Sequence, residues 1–522
     1  MDVSRKIARN TLTNGVGFLV QFLTNLMLLP YIVRNIGNDA YGGIWAIVGT
    51  LTMSLGLLDL GTGTAFIKYI SEYYARKDET GLSQVVNTGF AFYFAFGLVI
   101  LPLTWLIGDR LLLVIGVPAQ LIADGVFVLR VGMIVFVLAN LLSPLTTVIT
   151  GIQRMDVSLI AAVSGQVVNA AGCIIVIEHG WGVKGLILNN LVVLLVTSSI
   201  LAWSAMHLVP SIRFGYAFCK KEMAGRFLRY GMNLQISKLA QVLLFQFDRI
   251  LTLRVFGAPA AAFYDIGGRL CNGGRSVSTL TISALIPAVS ELDALNDQDR
   301  LLTLYRRGSK YVTIASTFVF LFIGIFAADI VETWMGPGYT SSILIVSVLA
   351  VGYFFNVTTG IASALAAGVG RTEFERRAGI LTAALNIVTI LGCAFLFGSI
   401  GIAIGTSISL VVGGVFMLYQ VNKFLDRPAG IIWDSYGKPM SLGIAAALLS
   451  WLLRFLIFPA VMSRGEGLLM LLASAIIYTI LFGASLWLFH VMDVSDLRTL
   501  RIIRSGSNRG AGEKGKGREE VR

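Results

Sequence analysis

Lys238, Arg249, Arg269 and Arg275 stand inside two of the apolar stretches of this chain. A charge at the centre of a membrane helix costs roughly 2.5–3.5 kcal/mol on insertion, so such residues face a partner or a hydrated cavity. At 100° per residue, Gln235, Lys238, Gln241, Arg249 and Thr252 fall within about 60° of one line on a helix. Lys238 and Arg249 are then about 16 Å apart along one face. A second stripe runs through Asp265, Arg269, Asn272, Ser276, Thr279 and Ser283, with Arg275 to its side. Arg130 adds a cation from an earlier stretch. Guanidinium forks and ammonium point charges together hold phosphate or pyrophosphate. The expected site is a cationic cavity formed by Lys238, Arg249, Arg269, Arg275 and Arg130. Three carboxylates, Asp59, Asp248 and Asp265, are the candidates for coupling to an ion. Plainer roles stand beside these. Asp265 and Arg269 are spaced i,i+4 and can neutralise one another, Asp248 can pair with Arg249 or a neighbouring helix, and Asp59 can cap or pack beside Gly61 and Gly63.

The elements that must carry these side chains are membrane helices. The 522 residues are 56% hydrophobic and 13% charged, with mean hydropathy +0.79, whereas a soluble domain carries roughly 25% charged residues. Apolar stretches of about 20 residues suit spanning helices. The chain reads as all-α and integral to the membrane, with about fourteen such stretches from 12–33 to 467–490. The two stripes fall on the seventh and eighth, 230–256 and 261–287. Nothing reads as an enzyme site. The histidines, His179, His207 and His490, lie near helix ends, no glycine-rich phosphate loop with lysine is present, and the four cysteines have no metal or disulfide spacing. No catalytic residue, cofactor or metal is therefore expected. The formal net charge of +12 lies mostly in loops and tail, which argues against nucleic acid. The first apolar stretch lacks a small-residue cleavage site and reads as a retained helix.

The chain also repeats itself at a spacing of about 220 residues. Arg9, Gln21, Arg34 and Gly37 recur as Arg229, Gln241, Arg254 and Gly257. Ser71, Glu72, Asp78, Leu82 and Gly89 recur as Ser290, Glu291, Asp297, Leu301 and Gly308. Gly151, Arg154 and Asn169 recur as Gly368, Arg371 and Asn386. Such duplication marks two-lobed transporters with a site between the repeats. The organisation expected is an N-lobe of six helices (1–203), a cytoplasmic linker (204–229) and a C-lobe of six helices (230–425). Helices 13 and 14 follow (426–492), then a disordered basic tail (493–522). The register positions of Lys238, Asp248 and Arg249 are Phe18, Leu28 and Leu29, so these charges are departures from the repeat. Thirty of the 41 Lys and Arg fall in the termini and even-to-odd loops, six in the opposite loops and five within helices. This bias places both termini in the cytoplasm.

Several runs carry a family resemblance: Leu29-Pro30-Tyr31-Ile32-Val33-Arg34-Asn35-Ile36-Gly37, Tyr41-Gly42-Gly43-Ile44-Trp45, Gly56-Leu57-Leu58-Asp59-Leu60-Gly61, Lys68 to Ala75, and the turns at 151–154 and 368–371. Over roughly residues 1–425 the chain resembles the polysaccharide-transporter family. That family includes Wzx-type flippases for O-antigen and other lipid-linked oligosaccharides, within the multidrug/oligosaccharidyl-lipid/polysaccharide exporter superfamily. The resemblance implies two six-helix bundles that alternate access, with two added helices, in a bacterial inner (plasma) membrane. With the cationic stripes, it leads to a flippase for an undecaprenyl-pyrophosphate-linked oligosaccharide used in O-antigen, capsule or exopolysaccharide synthesis. The expected partners are the lipid-linked oligosaccharide, membrane lipids, and polymerase and chain-length components of the pathway; coupling would be to H+ or Na+. Two alternatives stand beside this reading. A drug/cation antiporter of the same superfamily would want a net acidic cavity, and a membrane glycan polymerase or ligase would want a large outward loop, whereas the stretch 108–123 holds only Arg110.

Overall fold

The computed structural model describes residues 3–55, 62–283, 297–425, 433–457 and 463–492, together with 289, 290, 292, 293 and 295. Asp59 and the tail 493–522 lie outside the described residues. Every regular element among the described residues is helical. The first half comprises α1 (Val3–Ala40), α2 (Ala46–Leu55), α3 (Thr62–Ala75), α4 (Glu79–Ile115), α5 (Ile122–Gly151), α6 (Met155–Glu178) and α7 (Gly182–Leu208). The second comprises α8 (Lys221–Phe256), α9 (Ala258–Ser283), α10 (Gln298–Ile325), α11 (Ala327–Met335), α12 (Thr340–Thr358), α13 (Gly360–Gly368), α14 (Thr372–Phe397) and α15 (Ser399–Phe424). The two added helices are α16 (Lys438–Ile457) and α17 (Arg464–Leu488).

Eleven helical segments among the described residues are long and apolar enough to cross a membrane. The chain is a multi-pass membrane protein. The difference from the fourteen expected stretches has two sources. The first two stretches run together as Gly15–Leu51, with α1 broken inside by Gly37 at φ 82°, ψ 159° and joined to α2 by a π-turn at Tyr41–Trp45. The helices α8 and α9 are not among the eleven: part of each falls where side chains lie outside the described residues, and both carry the charged stripes. The helical boundary after the link between halves also falls earlier than expected, at Lys221. Met223 and Phe227 of α8 pack into the core of the first half beside Phe66.

The repeat is visible as repeated local chemistry. Gly37 and Gly257 both take left-handed φ, 82° and 84°, a region where a Cβ is costly. Ser71 Oγ donates to Gly151 O at 2.9 Å, and Ser290 Oγ to Gly368 O at 3.0 Å. Arg154 pairs with Asp156, and Arg371 with Glu373. Asp78 caps α4 by accepting from Gly81 N, and Asp297 caps α10 by accepting from Arg300 N. An N-cap carboxylate satisfies an orphan amide and is worth about 1 kcal/mol. Asp78→Ala and Asp297→Ala should each lower stability by about that amount. Thermal unfolding of the purified protein checks this, with each variant melting below the parent chain.

The packing places α3 to α7 against one another, and α9, α10, α12, α14 and α15 likewise. Helices α16 and α17 lean on α10 through Ala447, Tyr478 and Phe482 against Phe318 and Phe322. The two halves meet in a tight seam at the end of the bundle that holds Gly37 and Gly257. A Cβ on Gly42 would clash with the Ala258 carbonyl and the Ala262 amide, so only glycine permits this backbone approach. Ile44 and Ile47 bury against Leu253, Ala258 and Ala261 in the same core. On a neighbouring part of the seam, Trp334 Nε1 of α11 donates to Leu26 O of α1 at 2.6 Å.

Candidate functional site

The last turns of α8 and the first turns of α9 flank Gly257, so their polar residues come together just inside the seam. Asp265 is fully buried at the centre. Its Oδ1 faces Arg249 Nε at 2.9 Å and its Oδ2 faces Arg269 Nε at 2.6 Å. The Tyr41 hydroxyl, from the first half, donates to the same Oδ2. One carboxylate thus faces two guanidiniums and a phenol: Oδ2 accepts from Arg269 and Tyr41, and Oδ1 meets Arg249 as an ion pair. The pair of arginines still exceeds it by one positive charge. The two cations are unequally placed. The Arg249 side chain is 12% exposed, and its Nη1 also donates to Gln246 Oε1 at 3.2 Å. The Arg269 side chain is 42% exposed and reaches a cavity of about 520 Å³. Asn25, Asn169 and Asn190 of the first half line the same cavity, with Trp45 and Phe136.

A second buried carboxylate lies one residue before Arg249. Asp248 Oδ2 accepts from Tyr264 Oη at 2.5 Å and from Thr406 Oγ1 at 2.7 Å. Its Oδ1 has no hydrogen-bond partner, and Asp248 makes no ion pair among the described residues. The expected pairing with Arg249 is therefore replaced by hydroxyls from α9 and α15, because Arg249 turns to Asp265 instead. Farther along α9, Arg275 Nε donates to Asn356 Oδ1 of α12 at 3.2 Å.

The structure therefore gathers Arg249, Arg269, Asp248 and Asp265 at one junction and puts Arg275 further along the same helix. Lys238 lies on α8, eleven residues before Arg249, and its side chain falls outside the described residues. Arg130 is elsewhere. It pairs with Asp109 at 3.1 Å, stacks over Trp105 and does not line the cavity reached by Arg269. Formally, the three guanidiniums of Arg249, Arg269 and Arg275 stand against the two carboxylates of Asp248 and Asp265. The arrangement can hold a compact anion beside Arg269 with the asparagines of the first half opposite. Tyr41, Tyr264, Thr406 and Asn356 have no site role in the sequence reading, where Tyr41 stands only in a run that carries the family resemblance. Tyr41 carried a usable signal, since its register partner is Ala261 and it too departs from the repeat.

The all-helical fold, its repeated halves and a charged junction between them define a membrane transporter architecture, and comparison with known proteins agrees. The lipid II flippase MurJ in an inward closed conformation superposes with a TM-score of 0.67 at 12% identity, covering 93% of this chain and all of that one. An inward-facing multidrug resistance MATE transporter of the MOP superfamily gives 0.66 at 18% identity, covering 78% of this chain and 94% of that one. At these identities the likeness shows the fold. Residues 7–293, more than half of the chain, match the family model described as polysaccharide biosynthesis protein, and the chain belongs to that family. Among curated relatives, a putative O-antigen transporter of Shigella flexneri is 21% identical over 431 residues, 80% of this chain and 98% of the relative.

Proposed function

We propose that this protein is a flippase for an undecaprenyl-pyrophosphate-linked oligosaccharide, moving the polar head across a bacterial inner membrane for surface-polysaccharide synthesis. The observation that carries the reading is the Arg249–Asp265–Arg269 cluster, net positive and open to a cavity through Arg269. A carboxylate sandwiched between two guanidiniums is a stand-in for a phosphate, and a pyrophosphate can replace it on the exposed side. The family and the Shigella flexneri relative support a polysaccharide cargo. The fold shared with the lipid II flippase suits a head group that crosses while its lipid stays in the bilayer.

The residues have distinct parts in this mechanism. The head group enters from the cytoplasmic side, where Lys238 and Arg275 draw the pyrophosphate toward the junction. Arg269 takes the anion and partly releases Asp265. The incoming negative charge repels the Asp265 carboxylate, and displacement of that carboxylate breaks the cross-half hydrogen bond from Tyr41 at the seam. The seam lies at the outward end, given the bias of Lys and Arg. Its opening exposes the head group outward, and Asp265 reclaims Arg269 as the anion leaves. Only differential interaction with the two states can shift them, and this exchange of partners supplies it. Asp248, buried with one free oxygen, is the proposed place for H+ or Na+ to couple to the cycle. Polymerase and chain-length components of the pathway are the proposed partners downstream. The lipid tail would run along α16 and α17.

Complementation of a flippase-null strain tests the reading. Lys238→Ala combined with Arg275→Ala should cut polymer export at least tenfold at equal expression. Export at the level of the parent chain would contradict the cationic pathway.

A further inference from the structure

A second concave charged site lies far along the second half from the junction just described. It is a cavity of about 490 Å³, walled by the first turns of α10, the start of α16 and the end of α17. Arg306, Arg307 and Lys310 come from α10, Lys438 from α16, and His490 from the turn after α17. Asp434 is the one acid lining it among the described residues, and Lys438 pairs with it at 2.6 Å. Arg306 and Arg307 make no ion pair among the described residues, so the cavity keeps an excess of positive charge.

The walls are fixed to one another. Tyr436 Oη donates to Ser309 Oγ at 2.8 Å, tying the π-turn at Trp433–Gly437 to α10. Lys310 Nζ donates to Val491 O at 3.0 Å, tying the end of α17 to the same helix. The cations are thus gathered by two helices distant in sequence, with the end of a third closing the cavity, which exceeds what a loop bias for orientation requires. Exposed apolar residues neighbour the walls in sequence: Trp433, Trp487, Leu488 and Phe489 are each more than half exposed, and of these Phe489 lines the cavity. Tryptophan and a basic cleft at a helix end mark the membrane–water boundary.

We propose that this pocket binds the phosphate of an anionic glycerophospholipid, clamping the added helices α16 and α17 to α10 at the membrane surface. A soluble phosphate shares the anion chemistry, but it has no use for Phe489 in the cavity or for the exposed tryptophans neighbouring its walls in sequence. In the orientation proposed above the site faces the inner leaflet, where anionic lipid concentrates near basic residues.

Native mass spectrometry of the delipidated full chain tests this, with phosphatidylglycerol, phosphatidylethanolamine and inorganic phosphate as probes. Phosphatidylglycerol should bind in preference to phosphatidylethanolamine, and millimolar phosphate should not displace it. Arg306→Gln with Arg307→Gln should weaken phosphatidylglycerol binding about tenfold, while Arg306→Lys with Arg307→Lys should keep most of it. Equal binding by the glutamine variant, equal binding of the zwitterionic lipid, or displacement by phosphate would each overturn the proposal. A photoactivatable phosphatidylglycerol on the unaltered chain gives a check independent of variant folding. Its cross-links should map to residues 303–310, 433–438 and 487–491, and mapping elsewhere would overturn the assignment. Neither readout involves export, so failure here is separable from failure of the flippase reading.

Discussion

Asp265→Asn should bind a pyrophosphate-linked lipid about tenfold more tightly than the parent chain and export less than a tenth as much polymer. The substitution keeps shape and removes the charge shared by Arg249 and Arg269. Two guanidiniums then lack a counterion, and an arriving pyrophosphate supplies it without having to displace a carboxylate. A tenfold gain corresponds to about 1.4 kcal/mol, a modest share of the several kcal/mol attached to a buried charge pair. Part of that energy is screened, because Arg269 is 42% exposed. The same change slows release, since affinity differences reside mostly in dissociation. Lipid binding by the purified variant and polymer export in cells measure the two effects. Unchanged binding together with unchanged export would show that Asp265 is no more than a structural pair for its arginines.

The second large effect is expected at the seam. Gly43→Cys combined with Ala258→Cys should form a disulfide that stops export on oxidation and restores it on reduction. A Cβ built on Gly43 lies 3.1 Å from the Ala258 Cβ, against the roughly 3.5–4.5 Å of natural bridges. A shift of a few tenths of an ångström brings the pair into range. The cross-link joins the two halves where Gly42 already meets the Ala258 backbone, so it blocks any separation there. Cys173, Cys219, Cys271 and Cys393 are unpaired, and the single variants control for adventitious bridges. Export at the parental rate from fully cross-linked protein would mean that the seam does not open in the cycle.

Much of this fold was legible because the sequence repeats its local chemistry. Gly37 and Gly257 share a backbone requirement, and Asp78 and Asp297 share a cap. Ser71 and Ser290 each reach the carbonyl of a repeated glycine. These are short-range needs of the chain, so they leave paired residues at constant spacing. The count of spanning helices was less legible. The polar stripes that marked α8 and α9 for function are the same features that weaken their membrane signature.

The site was legible in part. Asp265 and Arg269 announce themselves at i,i+4, and helical periodicity puts Arg249 on the stripe of Lys238. Their partners do not show, because Tyr41 reaches Asp265 across 224 residues and Thr406 reaches Asp248 across 158. Periodicity describes one helix at a time and is blind to contacts between helices. Arg130 stands apart. It lies in an apolar stretch, and in the structure it pairs with Asp109 on the facing helix and lies over the Trp105 ring.

The central claim is that Arg249 and Arg269 form the anion site. The most direct measurement is binding of undecaprenyl pyrophosphate to the purified full chain, comparing it with Arg249→Gln combined with Arg269→Gln. Thermal unfolding of both proteins serves as the internal control for folding. The account predicts at least a tenfold loss of undecaprenyl pyrophosphate binding with the unfolding temperature retained. Equal binding of undecaprenyl pyrophosphate by both proteins would contradict it.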